Sequence, residues 1–101
     1  MSQYQFNIKT MNLLHHDKAN NKYVLAIANE EEEAWVKYDL REGKMYLTYA
    51  SVPNKLQGRG IGKELVIKTF EQLTEEGYKA VAVCSYVRAV KKRNEKINKI
   101  K

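Results

Sequence analysis

The sequence VPNKLQGRGIGKELV, residues 52–66, decides the fold. A strand-like run ends at Val52, and Pro53 closes it because proline has no N–H to donate to a sheet ladder. Three glycines at alternate positions then lead into an amphipathic helix: Gly58, Gly60 and Gly62. A turn of this kind leaves the first N–H groups of the helix unpaired at the positive end of its dipole. The stretch therefore predicts a site for a phosphate or pyrophosphate.

The spacing of these glycines shows which of three phosphate-binding motifs the chain matches. A P-loop needs a hydroxyl residue after Gly-Lys, where this chain has Glu64, and the dinucleotide fingerprint needs a glycine where it has Lys63. The pattern that matches is Gln-x-x-Gly-x-Gly, formed by Gln57, Gly60 and Gly62. The alternative is a strand-to-helix turn that uses glycine for its backbone geometry alone.

The composition predicts a single domain with a modest core, since the chain has 101 residues of which 44% are hydrophobic and 30% charged. No apolar run is long enough to span a membrane, and residues 1–5 lack the charged start and apolar block of a signal peptide. The single cysteine, Cys84, excludes an internal disulfide and gives no tetrahedral metal set. We expect a cytoplasmic protein with no membrane association and no bound metal.

The positive charge is concentrated at the C-terminal end. Residues 91–101 carry six basic side chains against one glutamate, which supplies +5 of the net charge of +6. A basic tail of this kind, about residues 95–101, either contacts nucleic acid or an acidic partner, or is a solvated helix end. No RNA-binding motif with interleaved aromatic residues accompanies it, so nucleic acid is not the expected partner.

The remaining chain predicts an antiparallel meander, a helix, a strand and a final helix. The expected strands are an edge strand from about Leu13, then residues 23–28, 34–40, 45–52 and a buried strand at 80–84, with a hairpin turn at Gly43. The expected helices run from about residue 60 to 76, ending before Gly77, and from a cap at Ser85 to about residue 94. A right-handed crossover would place the last two strands in parallel. The adjacent His15 and His16 face opposite sides of a strand, and we interpret both as surface residues.

This order of elements and two short motifs resemble a known family. Gln57, Gly60 and Gly62 match the acetyl-CoA signature of the GNAT superfamily of N-acyltransferases. The Val-Pro pair before the turn and Cys-Ser-Tyr-Val at residues 84–87 resemble the small single-domain branch of that superfamily, over about residues 23–94. The resemblance implies an α+β minimal GNAT-like domain, spanning residues 1–101, with a mostly antiparallel mixed sheet.

The resemblance also implies a cofactor and a function. Acetyl-CoA would bind with its pyrophosphate on residues 56–63, and the acetyl group would pass to an unidentified small-molecule or peptide amine. The implied cofactor-binding residues are Val52, Gln57, Gly58, Arg59, Gly60, Ile61, Gly62 and Lys63. The protein is expected to be a monomer or a homodimer. The alternative is a coenzyme-A-binding module that has lost catalysis, because the branch's His-Thr falls on Tyr49-Ala50 and its second tyrosine on Val90.

In the family, the fourth and fifth strands separate to admit the pantetheine arm, and N–H groups from about residues 50–52 would face the thioester. Three residues are then catalytic candidates, each with a second interpretation. Cys84 either accepts the acetyl group or only shapes the cavity. Tyr86 either donates a proton or packs, and Tyr49 either polarises the substrate or simply occupies a strand position.

Overall fold

The computed structural model describes residues 11–94, and the predicted tail at 95–101 lies outside this range. The described part forms one five-stranded sheet whose strands lie in chain order, with two helices. The strands are β1 (Leu13–Asp17), β2 (Lys22–Ala26), β3 (Glu33–Arg41), β4 (Lys44–Ser51) and β5 (Lys79–Ala82), and the helices are α1 (Ile61–Glu75) and α2 (Ser85–Arg93). Strands β1 to β4 are antiparallel, and β5 is parallel to β4. The predicted α+β architecture is confirmed.

The turns form where the sequence places residues that tolerate positive φ. The β3–β4 hairpin turns at Glu42 and Gly43, whose φ angles are 51° and 80°. Positive φ at both residues is what a two-residue hairpin turn needs to match the twist of its strands. Helix α1 stops at Gly77, whose φ is 94°, and the N–H of Tyr78 there donates to the carbonyl of Leu73 at 2.9 Å. The predicted hairpin turn at Gly43 and the predicted end of the helix before Gly77 are both confirmed.

The core lies between one face of the sheet and helix α1. Side chains of a strand alternate between its two faces, so every second residue of β3 and β4 points into the core. A helix repeats every 3.6 residues, so every third or fourth residue of α1 points into the core from the other side. Its members from these three elements include Val36, Tyr38, Met45, Leu47, Leu65, Val66, Phe70 and Leu73. Neither helix in the described range is long and apolar enough to cross a membrane.

Two predictions about the last strand and helix are wrong. Strand β5 was expected to be buried, but it is an edge strand and its residues are half-buried or exposed. The N-cap of α2 is Cys84, and Ser85 is already the first residue of the helix. The strand is short because the N–H groups of Val83 and Cys84 both donate to the carbonyl of Leu47, so the chain turns into α2 at that point.

The prediction that His16 is a surface residue is also wrong. Its side chain is only 7% exposed, because the C-terminal end of α1 covers that face of β1. The imidazole ring stacks on the ring of Tyr23, with 4.1 Å between the ring centroids, and its Nε2 lies 2.6 Å from the hydroxyl oxygen of Tyr38. Its Nδ1 lies 2.9 Å from Oε1 of Glu76, without the alignment of a hydrogen bond. His16 therefore ties the edge strand to the end of α1.

Glu76 makes this cluster sensitive to acid. Burial acts to raise its pKa, but the hydrogen bonds from Gln72 and Tyr23, at 2.8 and 2.7 Å, outweigh burial and hold the pKa below its ordinary value of 4.5. Because the folded pKa is the lower one, Glu76 stabilises the fold fully above the unfolded value. That stability is lost as the pH falls through the folded pKa.

We expect Glu76→Gln to lower the free energy of unfolding by about 1–2 kcal/mol near neutral pH and to flatten its decline in acid. Urea unfolding between about pH 3 and pH 7 measures both. Glu71→Gln, on an exposed position of the same helix, is the control and should change neither. An acid decline as steep in Glu76→Gln as in the parent would contradict the assignment.

Candidate functional site

The glycine turn is shaped by two residues in the left-handed region. A short helical turn at Asn54–Leu56 follows Pro53, and fully buried Leu56 anchors it to the core. Gly58 and Gly60 then adopt φ of 84° and 77°, a conformation that residues with a Cβ rarely take. Gly60 is the N-cap of α1, so the turn leads directly into the helix end whose first N–H groups have no partner within the helix.

Hydrogen bonds from the side chain of Gln57 stabilise the turn. The side-chain amide of Gln57 donates to the carbonyl of Val52 at 3.2 Å and to Oδ1 of Asn54 at 3.3 Å. A Cβ built on Gly58 or Gly60 would meet no atom within 4 Å, so open space lies beside the turn. The turn is therefore held in shape while its outer side stays accessible to a ligand.

A cavity of about 540 Å³ lies against this turn. This volume falls within the range of small-molecule sites. Its lining residues come from β4, the turn, the start of α1 and one face of α2: Ala50, Val52, Gln57, Gly58, Gly60, Ile61, Gly62, Lys63, Tyr86, Val90, Arg93 and Asn94. The lining contains two cations and no acidic side chain, and one of its walls is aliphatic. Such a cavity suits a ligand with an anionic end and an apolar arm.

The cavity reaches the place where β4 and β5 part. The two strands pair only as far as Leu47 and Ala82. Beyond that point β4 continues to Ser51 with β3 as its one partner among the described strands. Backbone groups on the other side of this stretch have no strand to pair with, and the cavity wall at Ala50 and Val52 lies beside it. The separation of the two strands follows from the early turn of the chain into α2.

An extra residue in β4 decides which side chains face the cavity. Tyr38 pairs with Leu47 but Lys37 pairs with Tyr49, so Thr48 forms a bulge. The bulge moves the core-facing side of β4 from odd to even positions, from Leu47 to Ala50. Tyr49 consequently points to the other face of the sheet, where it is 58% exposed and its ring lies 5.8 Å from Trp35. The structure does not bring this predicted catalytic residue to the cavity.

Tyr86 does line the cavity, and it lies directly against Gly62. A Cβ placed on residue 62 would overlap the Tyr86 hydroxyl and would lie 2.7 Å from the ring carbon Cζ. The tyrosine ring therefore occupies the space that the third glycine leaves open at the start of α1. Gly62 thus serves the contact between α1 and α2, in addition to any ligand.

Arg59 does not line the cavity, although the sequence suggested it as a phosphate ligand. Its Nη1 donates to Oε2 of Glu30 at 3.1 Å, and Lys55 lies 3.2 Å from the other oxygen of the same carboxylate. The hydrogen bonds from Arg59 and Lys55 hold the pKa of Glu30 below its ordinary value. Arg59 therefore links the turn to the loop after β2.

Cys84 lies at the separation of the strands but does not line the cavity. It is a half-buried free thiol at the N-cap of α2, packed against the core. The predicted position near a helix N-terminus is confirmed. Within the described residues no histidine or carboxylate lines the cavity to act as a base.

Sequence reasoning missed Arg93 and Asn94, which line the cavity from the C-terminal end of α2. The signal was available in the spacing of α2. Tyr86, Val90 and Arg93 stand at positions i, i+4 and i+7 and share one helix face. Arg93 therefore adds a second cation, besides Lys63, to the lining of the cavity.

The comparison with known families agrees with this geometry. The sequence model of the GCN5-related N-acetyl-transferase family matches residues 22–100. The chain belongs to this family. No curated protein matches the chain significantly.

Proposed function

We propose that this domain binds acetyl-CoA in the cavity and transfers the acetyl group to an amine. The observation that carries the proposal is the continuity of the cavity. It runs from unpaired N–H groups at the start of a 15-residue helix, along an apolar wall, to the separated strands. Bound acetyl-CoA supplies an activated acyl group, and its transfer forms a C–N bond while the C–S bond breaks.

The chain's own residues divide the work of binding. The N–H groups at the start of α1, with Lys63 and Arg93, fit the pyrophosphate, because fixed donors and the helix dipole favour an anion there. Val52 and Val90 fit the apolar arm. Unpaired backbone N–H groups of β4 beyond Leu47 are suited to stabilise the charge that develops on a carbonyl oxygen. The hydroxyl of Tyr86 is the cavity's one phenolic proton donor among the described residues.

A coenzyme-A-binding module without catalysis is the second candidate. It is favoured by the absence of a base from the described lining and by the outward orientation of Tyr49. In the transferase, the acceptor amine must then arrive neutral or lose its proton to water. A cytoplasmic location and the choice between monomer and homodimer stay predictions.

Calorimetric titration with acetyl-CoA, followed by a screen of amines for release of the free thiol, tests the proposal. We expect binding with one molecule per chain and amine-dependent thiol release. Binding without release across small amines and peptides would favour the second candidate. An absence of binding would contradict both.

Arg93→Ala should weaken acetyl-CoA binding more than Arg59→Ala. We expect about a fivefold loss for Arg93→Ala, close to 1 kcal/mol, since the side chain is partly exposed to solvent and its charge is screened. Arg59→Ala should change affinity less than twofold because that side chain already pairs with Glu30. Calorimetry at two salt concentrations measures both, and an equal or reversed ranking would contradict the assignment.

Cys84→Ala should retain acetyl-CoA binding and most of the turnover. The thiol packs against the core outside the cavity lining, and no histidine in that lining is available to activate it. Intact-mass measurement after mixing with acetyl-CoA should show no added acetyl group. A hydroxylamine-labile acetyl group on Cys84, transferable to an amine and missing from Cys84→Ala, would instead establish a covalent intermediate.

A further inference from the structure

A second groove lies on the far side of α2 from the coenzyme cavity. It has a volume of about 520 Å³ and lies between strand β5 and the outer face of α2. Its strand side consists of Ala80, Val81 and Ala82, and its helix side consists of Arg88, Lys91 and Lys92. Nothing in the coenzyme site uses these residues.

The strand side of this groove is an unpaired sheet edge. The N–H groups of Lys79 and Val83 donate to Gly43 and Leu47, so odd-numbered residues of β5 face β4. Because strand groups alternate, Ala80 and Ala82 direct their N–H and C=O groups away from β4. No other strand within residues 11–94 pairs with them. Their methyl side chains leave room for another backbone to approach.

The helix side supplies three positive charges and no negative one. An edge that offers alternating N–H and C=O groups is satisfied by another extended backbone, which carries the same two groups. Phosphates and bases match that pattern poorly, and the lining has no aromatic platform for stacking. A second copy of β5 is disfavoured, because pairing would bring two sets of three cations together.

We infer that this groove docks an extended acidic peptide segment of another polypeptide as an added strand on β5. Backbone hydrogen bonds to Ala80 and Ala82 give the docked segment its register. Acidic side chains at alternate positions of the segment then meet Arg88, Lys91 and Lys92. The inference concerns a different surface from the coenzyme cavity and does not depend on acetyl transfer.

The test is fluorescence anisotropy without coenzyme, using a labelled, end-blocked peptide of alternating glutamate and threonine. Its matched probe has lysine in place of glutamate. We expect the acidic peptide to bind at least tenfold more tightly, and added salt to weaken it. Amide NMR spectra should show shifts at Ala80 and Ala82. Equal affinities for the two peptides would overturn the inference.

Three changes separate backbone pairing from charge alone. Ala82→Pro removes an outward N–H without costing a bond to β4, and should weaken binding at least fivefold. An acidic peptide that is N-methylated at alternate residues should bind the parent protein at least fivefold more weakly than the unmethylated peptide. This probe needs no protein variant. Lys91→Glu/Lys92→Glu should abolish binding, whereas Lys18→Glu/Lys37→Glu, with the same change of charge on exposed positions elsewhere, should not.

Other occupants give distinct results. Tighter binding of an oligothymidine than of the acidic peptide would assign the groove to nucleic acid. Dimers in sedimentation that Ala82→Pro dissolves would assign it to a second copy. Undiminished binding of the N-methylated peptide would also overturn the inference. In each case acetyl-CoA titration of Lys91→Glu/Lys92→Glu should match the parent, so failure here is distinguishable from failure of the proposed function.

Discussion

Gly60→Val is expected to weaken acetyl-CoA binding at least a hundredfold, which is about 2.8 kcal/mol at 1.4 kcal/mol per factor of ten. Gly60 is the N-cap of α1 and has a φ of 77°, so it sets the direction of the helix's first N–H groups. Valine is β-branched and strongly disfavours this conformation. To relieve the strain, the turn must rotate its N–H groups and move a side chain toward the open space where the phosphates would lie.

A matched control removes the ambiguity of backbone strain. Gly43 has a φ of 80° and, like Gly60, no atom within 4 Å of a built Cβ, but it lies in the β3–β4 hairpin. Gly43→Val and Gly60→Val should lower the free energy of unfolding by similar amounts, on the order of 1–2 kcal/mol. Only Gly43→Val should keep its affinity for acetyl-CoA. Calorimetry and urea unfolding on both variants measure this. Equal affinity in a folded Gly60→Val protein would show that the phosphates bind elsewhere.

The fold was largely predictable because its signals are local. Gly43 and Gly77 mark positions that need positive φ, and the apolar spacing of residues 61–73 describes a helix whatever lies beyond it. The crossover to a parallel β5 follows from the order strand, helix, strand. Each of these inferences depends on steric preference or periodicity within a few residues, which a sequence records directly.

The bulge at Thr48 shows where such reasoning stops. In an uninterrupted strand, Tyr49 would lie on the same face as Met45 and Leu47. The extra residue reverses the alternation, and it is specified by the register with β3. A pairing register depends on both strands at once, so the sequence of β4 alone gives no sign of it.

Contacts between distant residues explain the other differences. The Glu30 carboxylate that binds Arg59 is 29 residues away, and Glu76, beside His16, is 60 residues away. The sequence shows that these residues are charged or polar, but their partners follow only from the packed sheet and helix. Arg93 is different, because its helical spacing from Tyr86 was readable before the structure.

Gly62→Ala is expected to weaken acetyl-CoA binding about thirtyfold, close to 2 kcal/mol. In this chain the Tyr86 hydroxyl occupies the space that a Cβ on residue 62 would need. Tyr86 is 41% exposed, so we expect the ring to leave its place against α1 and enter the cavity instead of unfolding the domain. The overlap should cost about 1 kcal/mol, the lower end for overpacking, because the ring can move.

A double-mutant cycle tests this explanation through a change of sign. In the parent, Gly62→Ala should lower the free energy of unfolding. In a Tyr86→Ala background the overlap is gone, and the same substitution should raise it by about 0.5–1 kcal/mol, the helix preference of alanine over glycine. Acetyl-CoA affinity should be higher in the double variant than in Gly62→Ala alone, since no displaced ring blocks the cavity. If Gly62→Ala weakens binding equally with and without Tyr86, the methyl group itself obstructs the ligand, and Gly62 serves the phosphate site instead of the tyrosine.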